Sequence, residues 1–252
     1  MFMTKILYIV IYFATGFFIP VLSRFLMKFY PCSLHSYVGD ILKYLFNVKL
    51  NKLKHNNNKH NILKKQYFYN KLLWGILHVC LFATLTFLIK NNISKDYPLH
   101  LMFIFLFLLG FSSNIDARYR IIPDIITLPM LIISLLTTIY TQEHNIISPI
   151  NISINNSIYS MLYVYILCFT FALMFYFKYP YSFGGGDIKL LTAVAGFTGV
   201  ENLSIILIFT FIFAMIFYTL KKEKYLALAP LVFPSFLVWL FVKILAKNYF
   251  PF

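Results

Sequence analysis

The chain is expected to fold as an all-α polytopic membrane protein, with about eight transmembrane helices and one large basic loop after the first. Three observations carry that expectation. Of its 252 residues 60% are hydrophobic and only 12% charged, about half the charge of an ordinary soluble domain. Mean hydropathy is +0.76. The apolar residues also fall into runs near 5–26, 71–89, 98–116, 121–141, 157–177, 188–200, 203–220 and 225–246, most of them close to the ~20 residues that cross a bilayer.

The first run, within a segment 1–27, has Lys5 before it and Arg24, Lys28 and many more cations after it. A signal peptide carries its charge in front; this balance predicts an uncleaved helix with its N-terminus outside. Residues 28–70 follow as a basic cytoplasmic loop containing KLNKLKHNNNKHNILKK, a solvated composition attracted to anionic lipid. Residues 71–252 hold the remaining runs as one membrane domain. Within it, 142–157 (QEHNIISPINISINNS) is polar and nearly uncharged, as an outside loop is. The run 188–200 is short. Keeping it separate from 203–220, with a turn at Glu201-Asn202, places Arg24 to Lys71, Arg118/Arg120, Lys178/Lys189 and Lys221/Lys222/Lys224 all on the cytoplasmic side. The same one-sidedness accounts for the formal charge of +14 without a nucleic-acid partner; membrane lipid is the expected one.

Several chemistries are disfavoured by what the sequence contains. Cys32, Cys80 and Cys168 stand far apart with no C-x-x-C, so neither a disulfide framework nor a thiolate zinc site is readable. There is no H-E-x-x-H, so no metal is expected. Gly110-Phe111-Ser112-Ser113 has the look of a serine nucleophile turn, but no histidine lies in a later apolar run to act as its base; small-residue helix packing is the expected role.

The acids are more informative. Only 8 Asp and Glu stand against 22 Lys and Arg, yet Asp116 closes one apolar run and Asp187 opens another. An ionisable group at membrane depth is a functional-site signal, and two carboxylates able to share one proton can activate water. Charge parity brings both to one face. Gly184-Gly185-Gly186 precedes Asp187, and glycine allows close backbone approach. A flexible turn whose aspartate caps a helix is the structural alternative. Pro123 and Asp124 together read as a helix start, which gives Asp124 a local structural role; Asp116 has none. Arg118, Arg120 and Lys189 read as border cations facing lipid phosphates.

The combination IDARYRIIPDIITLP, followed about 60 residues later by FGGGDIKLL, resembles the bacterial type IV prepilin leader peptidases, of the G-x-G-D aspartic protease class. Gly16-Phe17 through Arg24 is similar to a worn form of that family's first-helix pattern, and LALAP ending at Pro230 to its last proline-bearing helix. The resemblance implies a peptidase of the inner membrane that removes the short basic leader of prepilins and pseudopilins, cutting after a glycine at the cytoplasmic face. It implies that Asp116 and Asp187 are the catalytic pair, with Gly184 and Gly186 the motif glycines, Lys189 the lysine after the aspartate and Asp124 structural. Many members carry two C-x-x-C pairs in the first loop, implying zinc and methylation of the new N-terminus from S-adenosylmethionine. This loop has only Cys32, so neither cofactor is expected. Two other classes fit acids at glycine-broken helices: an ion- or proton-coupled transporter component, which predicts internal repeats not found here, and a non-enzymatic assembly scaffold.

Overall fold

The computed structural model describes residues 2–29, 76, 98–144, 146, 152–176, 184–221 and 226–249. Among these residues the chain is helical, in seven elements: α1 (Phe2–Phe29), α2 (Leu99–Tyr119), α3 (Asp124–Glu143), α4 (Ile154–Tyr176), α5 (Gly185–Thr198), α6 (Val200–Lys221) and α7 (Ala229–Tyr249). Four of them, α2, α3, α4 and α6, are long and apolar enough to cross a membrane. This is a helical membrane protein. Apart from residue 76, the span expected at 71–89 lies outside the described residues, as does the basic loop expected at 28–70 except for its first two residues, which belong to α1.

Helix α1 belongs to one compact unit, residues 1–82, and α2 to α7 to another, residues 83–252. Pro20 sits inside α1, and the Ser23 hydroxyl bonds the Pro20 carbonyl at 3.1 Å, satisfying its donor within the helix.

In the second unit α2 and α5 supply much of the buried centre. Phe105 of α2 stacks on Phe197 of α5 with ring centroids 4.5 Å apart, and Phe236 of α7 lies 5.7 Å from the first and 5.9 Å from the second. Such pairs add to the area each ring removes from its surroundings. Trp239 continues the cluster at 5.3 Å from Phe236 and donates its indole N–H to Asn202 Oδ1 at 3.3 Å. Conversely, α4 and α6 present Leu162, Ile166, Phe169, Ile208, Phe211 and Met215 outward. On a soluble protein such faces would be a liability; in a bilayer they are the lipid contact.

Contacts along these helices fix their directions. The α7 start meets Asp116 near the end of α2, while Phe236 meets Phe105 further back, so α2 and α7 are antiparallel. A methyl group added to Gly186 would touch Ile122, just before α3, and one added to Gly196 would touch Ser134, so α3 and α5 run in parallel. The Ser157 hydroxyl donates to the Gly196 carbonyl at 2.6 Å and Ser160 Oγ accepts the Val200 N–H at 3.1 Å, which puts the start of α4 beside the end of α5. The end of α2 and the starts of α3, α5 and α7 therefore gather at one end of the bundle.

The close approach of α3, α4 and α5 depends on small residues. A side chain at Gly196 would overlap Met161 and press on Ser134 Oγ at 3.0 Å. The hydroxyls that line this interior bond their own helices: Ser134 to Leu131, Thr137 to Ile133, Thr138 to Ser134, Thr192 to Ile188. Among the described residues, no buried side-chain nitrogen or oxygen lacks a partner. Bilayer interiors demand that closure, because no water is there to supply it.

Two sequence expectations need correction. The turn between the sixth and seventh runs falls at Gly199, not at Glu201-Asn202. Gly199 takes φ 81° and ψ 159°, a region in practice reserved for glycine, whereas Glu201 is comfortable in the first turn of α6, where an acid complements the helix N-terminus. Second, α5 has only 14 residues, a rise of roughly 21 Å, which does not span ~30 Å of hydrocarbon by itself. The eight-span count is thus not reproduced as drawn from the sequence.

Gly196→Val and Gly199→Ala should each destabilise the bundle by about 1–3 kcal/mol, the first by overpacking and the second by backbone strain. Thermal unfolding in detergent reads both. Either variant melting with the wild type would contradict the packing described.

Candidate active site

Asp116 lies in the last turn of α2 and is 4% exposed. Its sequence supplied no local structural partner; the fold supplies one 113 positions away. The Ala229 N–H donates to Asp116 Oδ2 at 2.9 Å, and the Leu228 N–H is also directed at the carboxylate. The reason lies in the start of α7. The first turn of a helix leaves its N–H groups without intrahelical acceptors. Pro230 has no N–H, Leu231 and Val232 reach the Leu228 carbonyl at 3.0 Å each, and Ala229 is left for Asp116. The carboxylate thereby caps a helix distant in sequence and gains the positive end of its dipole.

Arg120, one turn after Asp116, is near enough for its charge to act on that carboxylate. Its backbone is left-handed, φ 54° and ψ 38°, and its N–H bonds the Asp116 carbonyl at 2.9 Å, closing α2. Glycine is usual at such a cap; an arginine there carries a penalty of roughly 1–2 kcal/mol. The chain then turns through Ile121-Ile122-Pro123 into α3. Pro123 is the extended residue before the helix and Asp124 its first member, as the sequence suggested.

Asp187 occupies the third position of α5, and Oδ2 accepts the Gly184 N–H at 3.0 Å. The capping role considered from sequence is therefore real, but it does not exhaust the residue. Burial pushes the Asp187 carboxyl up to about 6, against the downward pull of the Gly184 hydrogen bond, and the neighbouring Asp116 charge pushes it further in the same direction. The two carboxylates thus sense each other between α2 and α5, at the same end of the bundle. Helices α5 and α7 both aim their N-termini at this spot.

The glycines divide by what surrounds them. A Cβ at Gly186 would fall 2.7 Å from the Ile122 carbonyl oxygen and 2.9 Å from Ile122 Cβ, whereas at Gly185 it would meet nothing within 4 Å. At Gly184 it would sit 3.5 Å from Asp187 Oδ2, an ordinary contact. None of the three has positive φ, so their value is the approach of α5 to the 120–123 corner, concentrated in Gly186. Lys189 departs from its border reading: its Nζ pairs with Asp124 Oδ1 at 2.7 Å, joining α5 to α3. Asp124 makes no side-chain cap. Ser112, of the Gly-Phe-Ser-Ser segment, is fully buried and bonds the Leu109 carbonyl at 2.8 Å, a packing role. Among the described residues, no three His, Cys, Asp or Glu gather as metal ligands would.

Sequence reasoning missed the α7 start as the partner of Asp116 and the left-handed Arg120. The first had a signal: a proline shortly after Leu228 marks a helix N-terminus with a donor to satisfy. The second had none.

The profile of the type IV leader peptidase family matches residues 101–220, the stretch from α2 through α6 that contains both aspartates. No curated protein sequence and no solved structure gives a significant match.

Gly186→Ala should unseat α5 from the Ile122 backbone and destabilise the protein by about 1–3 kcal/mol, while Gly185→Ala should melt within a few tenths of the wild-type free energy. Equal stabilities for the two variants would show that the glycine run serves chain flexibility rather than close approach.

Proposed function

With residues 101–220 belonging to the type IV leader peptidase family, we propose that this protein is a prepilin peptidase of the bacterial inner membrane. It removes the basic leader of type IV prepilins or pseudopilins after a glycine, at the cytoplasmic face. The observation that carries the reading is the electrostatic contact of Asp116 with Asp187 at the end of the bundle where two helix N-termini converge.

The chemistry follows from a shared proton. One carboxylate of the pair carries the shared proton; Asp187, whose carboxyl is pushed up to about 6, is assigned as the acid and Asp116 as the base. Asp116 takes a proton from water as the water oxygen bonds the scissile carbonyl carbon, and Asp187 gives its proton to the carbonyl oxygen. Collapse of the tetrahedral adduct returns that proton to Asp187, breaks the C–N bond and transfers the proton on Asp116 to the leaving amine. Both carboxylates end as they began. The N–H bonds from Ala229 and Gly184 hold each side chain in one orientation while this happens. The first loop offers Cys32 without paired C-x-x-C, which supports a peptidase without the zinc-bound methyltransferase module.

Asp116→Asn and Asp187→Asn each keep an oxygen that can accept the capping N–H. Both should accumulate and melt close to the wild type, yet cleave a prepilin peptide slower by about 10³-fold. In the wild-type protein kcat/KM should be bell-shaped. Its alkaline limb falls as pH rises through about 6, because the raised Asp187 carboxyl loses the proton that the acid must supply. Cleavage by either variant near the wild-type rate would remove the pair from the mechanism.

A further inference from the structure

We propose that the Lys189–Asp124 ion pair is a positioning device for Asp187, fixing the rotation of α5 about its own axis so that the second carboxylate faces the first. The inference rests on the peptidase reading of the Asp116–Asp187 pair.

The geometry begins with the two-residue offset between Asp187 and Lys189. On an α-helix two residues differ by roughly 200°. Asp187 senses Asp116 of α2, and Lys189 reaches the opposite way to Asp124, the first residue of α3. Gly186 rests between them against the Ile122 backbone. The glycine contact sets how close α5 comes to the 120–123 corner, but a smooth helix surface on a backbone can still roll. The 2.7 Å contact between Nζ and Oδ1, on the far flank, is what resists rolling. An aspartate oxygen stands roughly 5–6 Å from the helix axis, so a 10° roll displaces it by about 1 Å. Displacement on that scale can reduce a rate on the order of 100-fold.

Exposure points the same way. Lys189 is 33% exposed and Asp124 50%, and half-exposed pairs contribute little to stability. Their placement, Lys189 two residues after Asp187 and Asp124 at the α3 start, is where a small force has the most effect on the approach of the two carboxylates. A border lysine facing lipid phosphate would leave Asp124 unpaired and α5 free to roll.

The test uses the full-length protein in proteoliposomes with a prepilin-like peptide. Wild-type cleavage, and its loss in Asp187→Asn, check the peptidase reading first. Lys189→Met should lower kcat on the order of tenfold with KM within about twofold and an unchanged melting temperature. Lys189→Arg should recover most of the rate, and Asp124→Asn/Lys189→Met should be no slower than Lys189→Met alone, because the pair acts as a unit. Lys189→Met at the wild-type rate, a raised KM with kcat intact, or additive losses in the double variant would each overturn the proposal. A second readout needs no activity: in a background with the native cysteines replaced, Asp116→Cys/Asp187→Cys should be bridged by a short bifunctional thiol reagent, and Lys189→Met should reduce the yield. Unchanged bridging overturns the positioning role even if the substrate assignment fails, whereas reduced bridging without peptide cleavage supports it and sinks only the peptidase reading.

Discussion

The bond from the Ala229 N–H to Asp116 is the contact on which the second unit is organised. It answers two needs at once. The α7 start has a donor without an intrahelical acceptor, in a place where water is scarce, and α2 ends in a buried carboxylate that must be hydrogen-bonded. Neither segment would be comfortable alone. Joined, they fix α7 antiparallel to α2, seat Phe236 against the stacked Phe105 and Phe197, and leave the carboxylate facing the α5 start. Removing only the acceptor would strand the Ala229 N–H, which is why an asparagine is tolerable there on structural grounds and an alanine is not.

A carboxylate used as a cap is usually taken as evidence against a chemical role. Here capping and the proposed catalysis make compatible demands. Each aspartate must be held in one orientation, each must keep part of its lone-pair capacity free, and each must sit where bulk water does not screen its neighbour. One or two N–H donors from a helix start satisfy the first without consuming all of the second. The starts of α5 and α7 lie at the same end of the bundle as the α2–α3 corner, whose left-handed Arg120 closes α2 one turn after Asp116.

How much of this was legible follows from the range over which each interaction acts. Apolar runs gave helix existence and rough bounds because burial in lipid is a property of composition along one segment. The 98–116 and 157–177 runs became Leu99–Tyr119 and Ile154–Tyr176, with ends moved by a few residues. Punctuation failed where a polar residue and a glycine competed: Asn202 looked like a turn, but its side chain bonds the Thr198 carbonyl and the Trp239 indole, and Gly199 alone has the backbone freedom to break the helix. The aspartates were visible as anomalies of charge. Their partners were not, since Asp116 with Ala229 and Asp124 with Lys189 are separated by 113 and 65 positions, and nothing local in a sequence marks which backbone N–H or which ammonium will arrive.

The shortness of α5 has a consequence for the solvent. Helices α5 and α6 meet at Gly199, but α6 has 22 residues and α5 only 14, a difference of roughly 12 Å in rise. The Asp187 end of α5 therefore lies short of a full membrane crossing measured from Gly199. In a bilayer that deficit is made up by a thinned leaflet or by a funnel of water reaching down from the surface. The proposed hydrolysis consumes one water per bond cut, and a full-length apolar helix at this position would hold that water away from Asp187. For the peptidase proposed here, the shortness of α5 is what would keep Asp187 within reach of that water.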